Sequence, residues 1–396
     1  MQKQVTNILS LLLLGFILFL VACKTSKNVV SGTNETKATD TTVTTVYIDS
    51  TKQIEFRNTT TERTKELTTR DYYDNAFEEL QQMLDASKPL NFKRAVFLTE
   101  NAYFKDSLDY DKFKLQIRSL AEICMIWMKS NKLIDYNQSD SLIIQRNGSI
   151  FTLMKDTVFL VDKFPFHIPF QYDFNDFLGE QNWSNQFVTK LLTTDLGNCH
   201  SLPYLYKILA DELNAEAYLS LAPNHIYVKH RSKEWGWYNT ELTSGEFPTD
   251  AWVKASGYIT IDAIRNGIYM DTLGQKESVA LCVYDLAKGY FAQTGNYMDG
   301  FVINCCDLVL KHHPTNINAV ILKAETLRKQ YGNFKKNGQQ EKAQKAYSEM
   351  QQLYVKGLEM GYREMPKEMY LAWLSSINEQ KDKYVNSKIN RTFKTK

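Results

Sequence analysis

The stretch "GNCHSLPYLYKILADEL", Gly197 to Leu213, constrains the chain more than any other, because it places a helix start to within a few residues. Proline has no amide hydrogen and its ring clashes with the preceding turn, so a helix tolerates it only near the beginning. With Pro203 in place, the helix cannot begin much before Cys199. Leu202, Leu205, Leu209 and Leu213 then fall on one apolar stripe that anchors the helix in a core and leaves its amino end at an edge. Asn198 is placed to cap that end.

A thiol on the first turn of a helix lies at the positive end of the helix dipole. Together with a neighbouring imidazolium, this lowers a cysteine pKa from about 8.5 into the range of about 3.5 to 7.5. The first amides of the same helix are expected to point where an oxyanion forms, and one such donor is worth about 3 kcal/mol in a transition state. The imidazole is found in "PNHIYVKH", Pro223 to His230. Read as a strand, it puts His225, Tyr227 and Lys229 on one face and Ile226 and Val228 on the other. In the next strand, "EWGWYNTELT", Trp237, Asn239 and Glu241 alternate in the same way. Asn239 and Glu241 therefore share a face about 6.6 Å apart, so one of them reaches the imidazole and the other does not.

Other titratable residues suggest less chemistry. His200 is expected to point off the other side of its helix, and His312 and His313 end a helix, where a cation suits the dipole. No Cys and His spacing matches a zinc site, and no metal or cofactor is expected. Five cysteines follow Cys23: Cys124, Cys199, Cys282, Cys305 and Cys306. Their number is odd and their spacing is not that of a disulfide framework, so at least one thiol stays free. Cys124 belongs to the helical stripe Phe113, Ile117, Leu120, Cys124, Trp127 and is read as core, as are Cys305 and Cys306.

"GNCHSLPYLYKILADELNAEAYLSLAPNHIYVKH" resembles the bacterial transglutaminase-like superfamily. The resemblance is to the branch with a GNC-x-SL segment, a later P-x-H on a strand and appended tetratricopeptide-like repeats, and it covers roughly residues 180–330. It implies a papain-like thiol site with Cys199 as nucleophile and His225 as base. Where the superfamily ends its strand in W-x-x-x-D-x-T, this chain has "WYNTELT". Glu241 thus replaces the aspartate beside Trp237 and Thr243. Because glutamate is one methylene longer, Asn239 stays open as the orienting group.

The rest of the chain sets the context. A length of 396 residues suits two or three domains, and a net charge of +2 gives no field that would draw nucleic acid, so polynucleotide partners are excluded. After Lys3, the apolar run Ile8 to Ala22 is shorter than the roughly 20 residues of a spanning helix. It ends in "LVAC", Leu20 to Cys23, which resembles the bacterial lipobox. Residues 1–22 are therefore read as a lipoprotein signal peptide and Cys23 as the acylated residue. Acyl chains contribute about 0.8 kcal/mol per buried methylene, so two or three of them hold the chain to a membrane of the cell envelope. Lys24 and Thr25 follow without an acidic run, which suits a periplasmic orientation.

Residues 23–70 are crowded with Thr, Ser, Asn and Lys and are read as a tether. Residues 71–163 repeat apolar positions at helical spacing, and the aromatic, proline-bearing "FPFHIPFQYDFNDFLG" opens a transglutaminase-like core over 164–275, one helix on a small antiparallel sheet. Residues 276–396 read as tetratricopeptide-like helical repeats, punctuated by Gly, Asn and Pro. The expected fold class is α+β. Two functions compete: an enzyme that cleaves or transfers peptide or side-chain acyl groups, and an inactive envelope scaffold whose repeats bind a partner peptide or protein.

Overall fold

Thr68 and Asp71 each bond the other's backbone amide, a capping box that opens helix α1 (Thr69–Leu84). Regular structure thus starts inside the last residues assigned to the tether. The computed structural model describes residues 66–161 and 164–393; the expected signal peptide, Cys23 and nearly all of the tether lie outside these. Tyr73, Ala76, Leu80 and Leu84 bury one face of α1. Asn91 caps α2 (Phe92–Tyr103), and Asp109 caps α3 (Tyr110–Ser130) through the amides of Asp111 and Lys112. In α3 the stripe of Phe113, Ile117, Cys124 and Trp127 is buried, with Leu120 packed beside it. Helix α4 (Ser141–Lys155) packs on α3 and completes a helical start to the fold.

The aromatic segment that follows breaks the helical pattern into short strands. β1 (Val158–Val161) pairs antiparallel with β2 (Phe164–His167), and β3 (Gln171–Tyr172) lies parallel to β4 (Leu196–Gly197). Helix α5 (Val188–Thr194) sits between β3 and β4 in the chain, and α6 (Ser201–Glu212) follows β4. Leu202, Leu205, Ile208 and Leu209 of α6 are fully inaccessible. Each such side chain contributes about 2 kcal/mol on burial. More than a stripe is covered, because α2, α3, α4, α5 and two strands all touch this helix.

Those strands belong to an antiparallel sheet of β5 (Tyr218–Ala222), β6 (His225–Ser232) and β7 (Gly236–Thr240) in chain order. A two-residue turn joins β5 to β6: Pro223 presets its own φ and Asn224 takes a left-handed φ of 57°. Val228 opposes Thr240 and Lys229 opposes Asn239, the alternation expected from the sequence. One helix against this sheet makes the class α+β, with fifteen helices among the described residues.

The chain then crosses from sheet to helices without a linker, since Trp252 of α7 (Asp250–Lys254), Ala263 of α8 (Ile261–Arg265), Tyr269 and Leu273 are all buried. Helices α9 (Gln275–Thr294) and α10 (Phe301–His312) pack on α1, where Tyr73, Tyr290 and Phe301 meet edge to face. Helices α11 (Ile317–Lys336) and α12 (Gln340–Glu359) pack against each other around Leu327, Ala346 and Met350. His312 and His313 do end α10, but burial, the leading cause in both, lowers their pKa values and disfavours the expected cations.

Beyond α12 the chain leaves the helical pairs and returns to the sheet. α13 (Lys367–Glu379), α14 (Lys381–Tyr384) and α15 (Ser387–Phe393) place Trp373 flat on Trp252 and Phe393 against Phe247. One hydrophobic core accordingly runs from Tyr73 to Phe393, and the chain from Glu66 on is a single unit. The five cysteines among the described residues are all free and buried. No helix among those residues is long and apolar enough to cross a membrane.

The return depends on Gly361, whose φ is 91°. A Cβ there lies 2.4 Å from the amide nitrogen of Ala263 and 2.9 Å from the carbonyl carbon of Asp262. Backbone cannot move aside as a side chain does. Gly361→Ala is expected to lower stability by roughly 3 kcal/mol, read as a lower denaturant midpoint with an unchanged slope; an unchanged midpoint rules the close approach out.

Candidate functional site

Gly197, Asn198 and Ser201 build the turn that presents Cys199. Ser201 Oγ accepts from the amide of Asn198 at 3.0 Å and donates to Asn185 O at 3.1 Å, and a Cβ on Gly197 would lie 2.3 Å from that oxygen. Only glycine fits there. His200 is the residue just before α6, and Asn198, two residues further upstream, serves its end: the Asn198 carbonyl accepts from Leu202, and its Oδ1 accepts from the amides of His200 (2.9 Å) and Ser201 (3.3 Å). One expectation changes in consequence. The amides of His200 and Ser201 are occupied by Asn198, which leaves the amide of Cys199 as the donor of this turn outside those bonds.

His225 begins β6 directly after the Pro223–Asn224 turn, and Glu241 follows the last residue of β7. His225 Nε2 donates to Glu241 Oε2 at 2.6 Å, and Glu241 Oε1 accepts from the amide of Thr243 at 2.8 Å. Glu241, not Asn239, therefore orients the imidazole. Asn239 sits opposite Lys229 and spends its Nδ2 on Pro248 O (3.0 Å) and Asp250 Oδ1 (2.9 Å). The extra methylene of glutamate is accommodated because Glu241 lies beyond the end of β7, in a turn where its backbone bridges Glu246.

Cys199, His225 and Glu241 are 8%, 3% and 1% exposed, so their charges interact through protein rather than water. Burial opposes the imidazolium, yet the Glu241 carboxylate and Cys199 outweigh it and raise His225 to about 10. Burial likewise opposes the carboxylate and the thiolate, but His225 holds both Glu241 and Cys199 below their ordinary values. All three shifts favour a charged thiolate–imidazolium–carboxylate set. As a thiol, Cys199 points at Asn224 O, 3.7 Å away.

Two tyrosines complete the surroundings, and nothing local in the sequence singles them out. Tyr370, from α13, sets its hydroxyl 3.1 Å from His225 Nδ1 and 3.4 Å from the hydroxyl of Tyr172, and it stacks on Phe177. Both hydroxyls interact with Cys199, and burial keeps both protonated. Trp373, one turn after Tyr370, presents its ring edge-on to the His225 imidazole at 5.4 Å. Asn224 Nδ2 donates to Met365 O at 2.9 Å and ties the hairpin turn to this segment. The last stretch of the region read as helical repeats, residues 276–396, thus walls the site.

A cavity of about 650 Å³ opens onto Cys199 and His225. His200 lines it too and does not turn away from the nucleophile: its Nδ1 bonds Gln186 O at 2.8 Å and its Nε2 lies 3.0 Å from Asp285 Oδ2. That second contact is off the hydrogen-bond direction, so it acts as a charge pair. Burial lowers the His200 pKa but Asp285 raises it more. Among the described residues, no group of three or more His, Cys, Asp or Glu side chains forms a metal cluster.

The charged pair makes stability depend on pH. His225 is raised above its usual 6.5, so its contribution is complete below 6.5 and is lost as pH rises through about 10. Glu241 is depressed below its usual 4.5, so its contribution is complete above 4.5 and is lost at lower pH. Glu241→Gln is expected to cost about 3 kcal/mol between those values and progressively less on either side, in denaturant titrations repeated across pH. A pH-independent difference means the pair is not charged in the folded protein. No protein-family model, curated protein or solved structure matches this chain.

Proposed function

We propose that the chain is a lipid-anchored envelope protein whose Cys199 cleaves or transfers peptide or side-chain acyl groups, in the manner of the transglutaminase-like superfamily it resembles. The observation that carries this reading is the contact of His225 Nε2 with Glu241 at 2.6 Å, which leaves Nδ1 clear of the carboxylate on a ring that interacts with the Cys199 thiol just before a helix start. A nucleophile, a base and an orienting group in this order are what acyl transfer requires.

In the proposed cycle the thiolate attacks the amide carbonyl carbon and a C–S bond forms. The oxygen gains the negative charge, and the Cys199 amide and the neutral tyrosine hydroxyls are the donors nearest to it. His225 Nδ1–H then protonates the leaving nitrogen, the C–N bond breaks and a thioester remains. Water or a second amine gives a proton back to Nδ1 and attacks the thioester, which releases the thiolate. Hydrolysis and crosslinking differ only in this last nucleophile.

Alkylation tests the reading directly. An ordinary thiol of pKa about 8.5 is less than one per cent ionised at pH 6, whereas a thiol lowered by a neighbouring imidazolium carries more thiolate at that pH. Iodoacetamide at pH 6 is expected to label Cys199 at least tenfold faster than Cys282, slow by roughly tenfold in His225→Ala, and slow less in Glu241→Gln. Asn239→Ala leaves the rate unchanged. If Cys199 labels no faster than Cys282, the enzyme reading falls and the scaffold, with its helical pairs as the partner-binding surface, replaces it.

The anchor is tested separately. Mass spectrometry of membrane-extracted protein is expected to find a chain beginning at an acylated Cys23, and Cys23→Ala to abolish that species. An unmodified amino terminus elsewhere refutes the lipobox reading.

A further inference from the structure

The cavity that holds Cys199 also carries a cation with no counter-ion. Lys288 lies on α9, one turn after Asp285, and both line the cavity. Other lysines drawn into the fold find an oxygen: Lys155 donates to Leu242 O at 2.8 Å, Lys190 to Leu196 O at 2.6 Å and Lys229 to Met270 O at 3.1 Å. Among the described residues, Lys288 has no carboxylate in ion-pair range; its ammonium stands 5.6 Å over the ring of Trp183. Burial pulls its pKa down, and Asp285 only partly opposes this.

The cavity's carboxylates are already committed elsewhere. Asp285 Oδ2 accepts from Tyr204 at 2.6 Å and faces His200 at 3.0 Å. Glu100, raised by burial to about 7, accepts from the amides of Val188 (2.7 Å) and Thr189 (2.8 Å) at the start of α5. Glu180 pairs with Lys367 at 2.5 Å. Trp183 Nε1, on the ring beneath Lys288, is a buried donor without an acceptor. Lys288 itself stays partly open to the cavity, where an incoming anion can reach its ammonium, and the same anion would offset the cost of the buried indole N–H left without a partner.

We infer that Lys288 forms a carboxylate-binding subsite, so that the substrate of this cavity is a peptide with a free carboxylate close to the amide that Cys199 attacks. The identity of that substrate rests on the acyl-transfer reading; the anion subsite itself does not. Lysine offers a point charge rather than a planar fork, which suits one carboxylate oxygen and sets charge more strictly than shape.

Calorimetric titration of the full-length protein with acetyl-glutamate and with acetyl-glutamine tests the subsite without any need for a reactive thiol. Acetyl-glutamate is expected to bind roughly tenfold more tightly, the size of a charge-assisted hydrogen bond; Lys288→Met removes the preference and Lys288→Arg keeps most of it. Equal binding of the two ligands to the unaltered protein, or no binding of millimolar acetyl-glutamate, overturns the subsite, and neither result depends on a variant folding. In parallel, the rate ratio of iodoacetate to iodoacetamide at Cys199 is expected to fall several-fold in Lys288→Met. An unchanged ratio also counts against the subsite. Slow labelling by both reagents with the acetyl-glutamate preference intact leaves the subsite standing and removes the thiol chemistry instead.

Discussion

A histidine and a glutamate that are almost wholly removed from water are tolerable only when they meet at short range, because desolvating each charge costs several kcal/mol. His225 and Glu241 meet at 2.6 Å, and most of the surrounding architecture is the means of holding them there. They come from neighbouring strands, so their meeting depends on the β6–β7 register; a slip of one residue would turn Glu241 to the opposite face. The tight Pro223–Asn224 turn places His225 at the first position of its strand, and the Glu241–Glu246 bridge holds the carboxylate just past the end of its own. With Nε2 committed to Glu241, Nδ1 is left to the Tyr370 hydroxyl, and the ring as a whole interacts with Cys199.

Enclosing such a pair needs material that the sheet and α6 do not supply. The last helices provide it: Tyr370 at Nδ1, Trp373 at the ring edge, and Trp252 stacked behind Trp373 at 4.5 Å. The Tyr370–His225 contact spans 145 residues of sequence. Contacts of such separation form only after a large loop has been closed, so the electrostatics of the site are complete only when the whole chain has folded. The helices between β7 and α13 bear on the site in two ways. α9 supplies Asp285 and Lys288 to one wall of the cavity, and Gly361 lets the chain turn back against α8.

Much of this was legible in the chain read by itself, because it rests on rules that act over a few residues. The absent amide of Pro203 bounded a helix start, Asn198 suited its cap, and the stripe from Phe113 to Trp127 marked a buried face. Alternation put His225 on one side of a strand and set Asn239 and Glu241 together on one side of the next. Local pattern alone left the choice between Asn239 and Glu241 open, since both occupy the same face two residues apart.

That choice belonged to tertiary structure. Asn239 finds Pro248 and Asp250 before it can find the imidazole, and Glu241 reaches it because β7 ends one residue earlier. Likewise no periodicity marks Tyr172, Asp285, Lys288 or Tyr370 as neighbours of Cys199. Each looks like an ordinary residue of its own strand or helix, and closure of the chain on itself brings them together. Sequence by itself determined where Cys199 and His225 sit on their elements, because helix caps, proline and strand alternation are local constraints. Tertiary structure alone decided which groups surround them and in what charge state, because burial and electrostatic contact depend on distances in space that no local rule encodes.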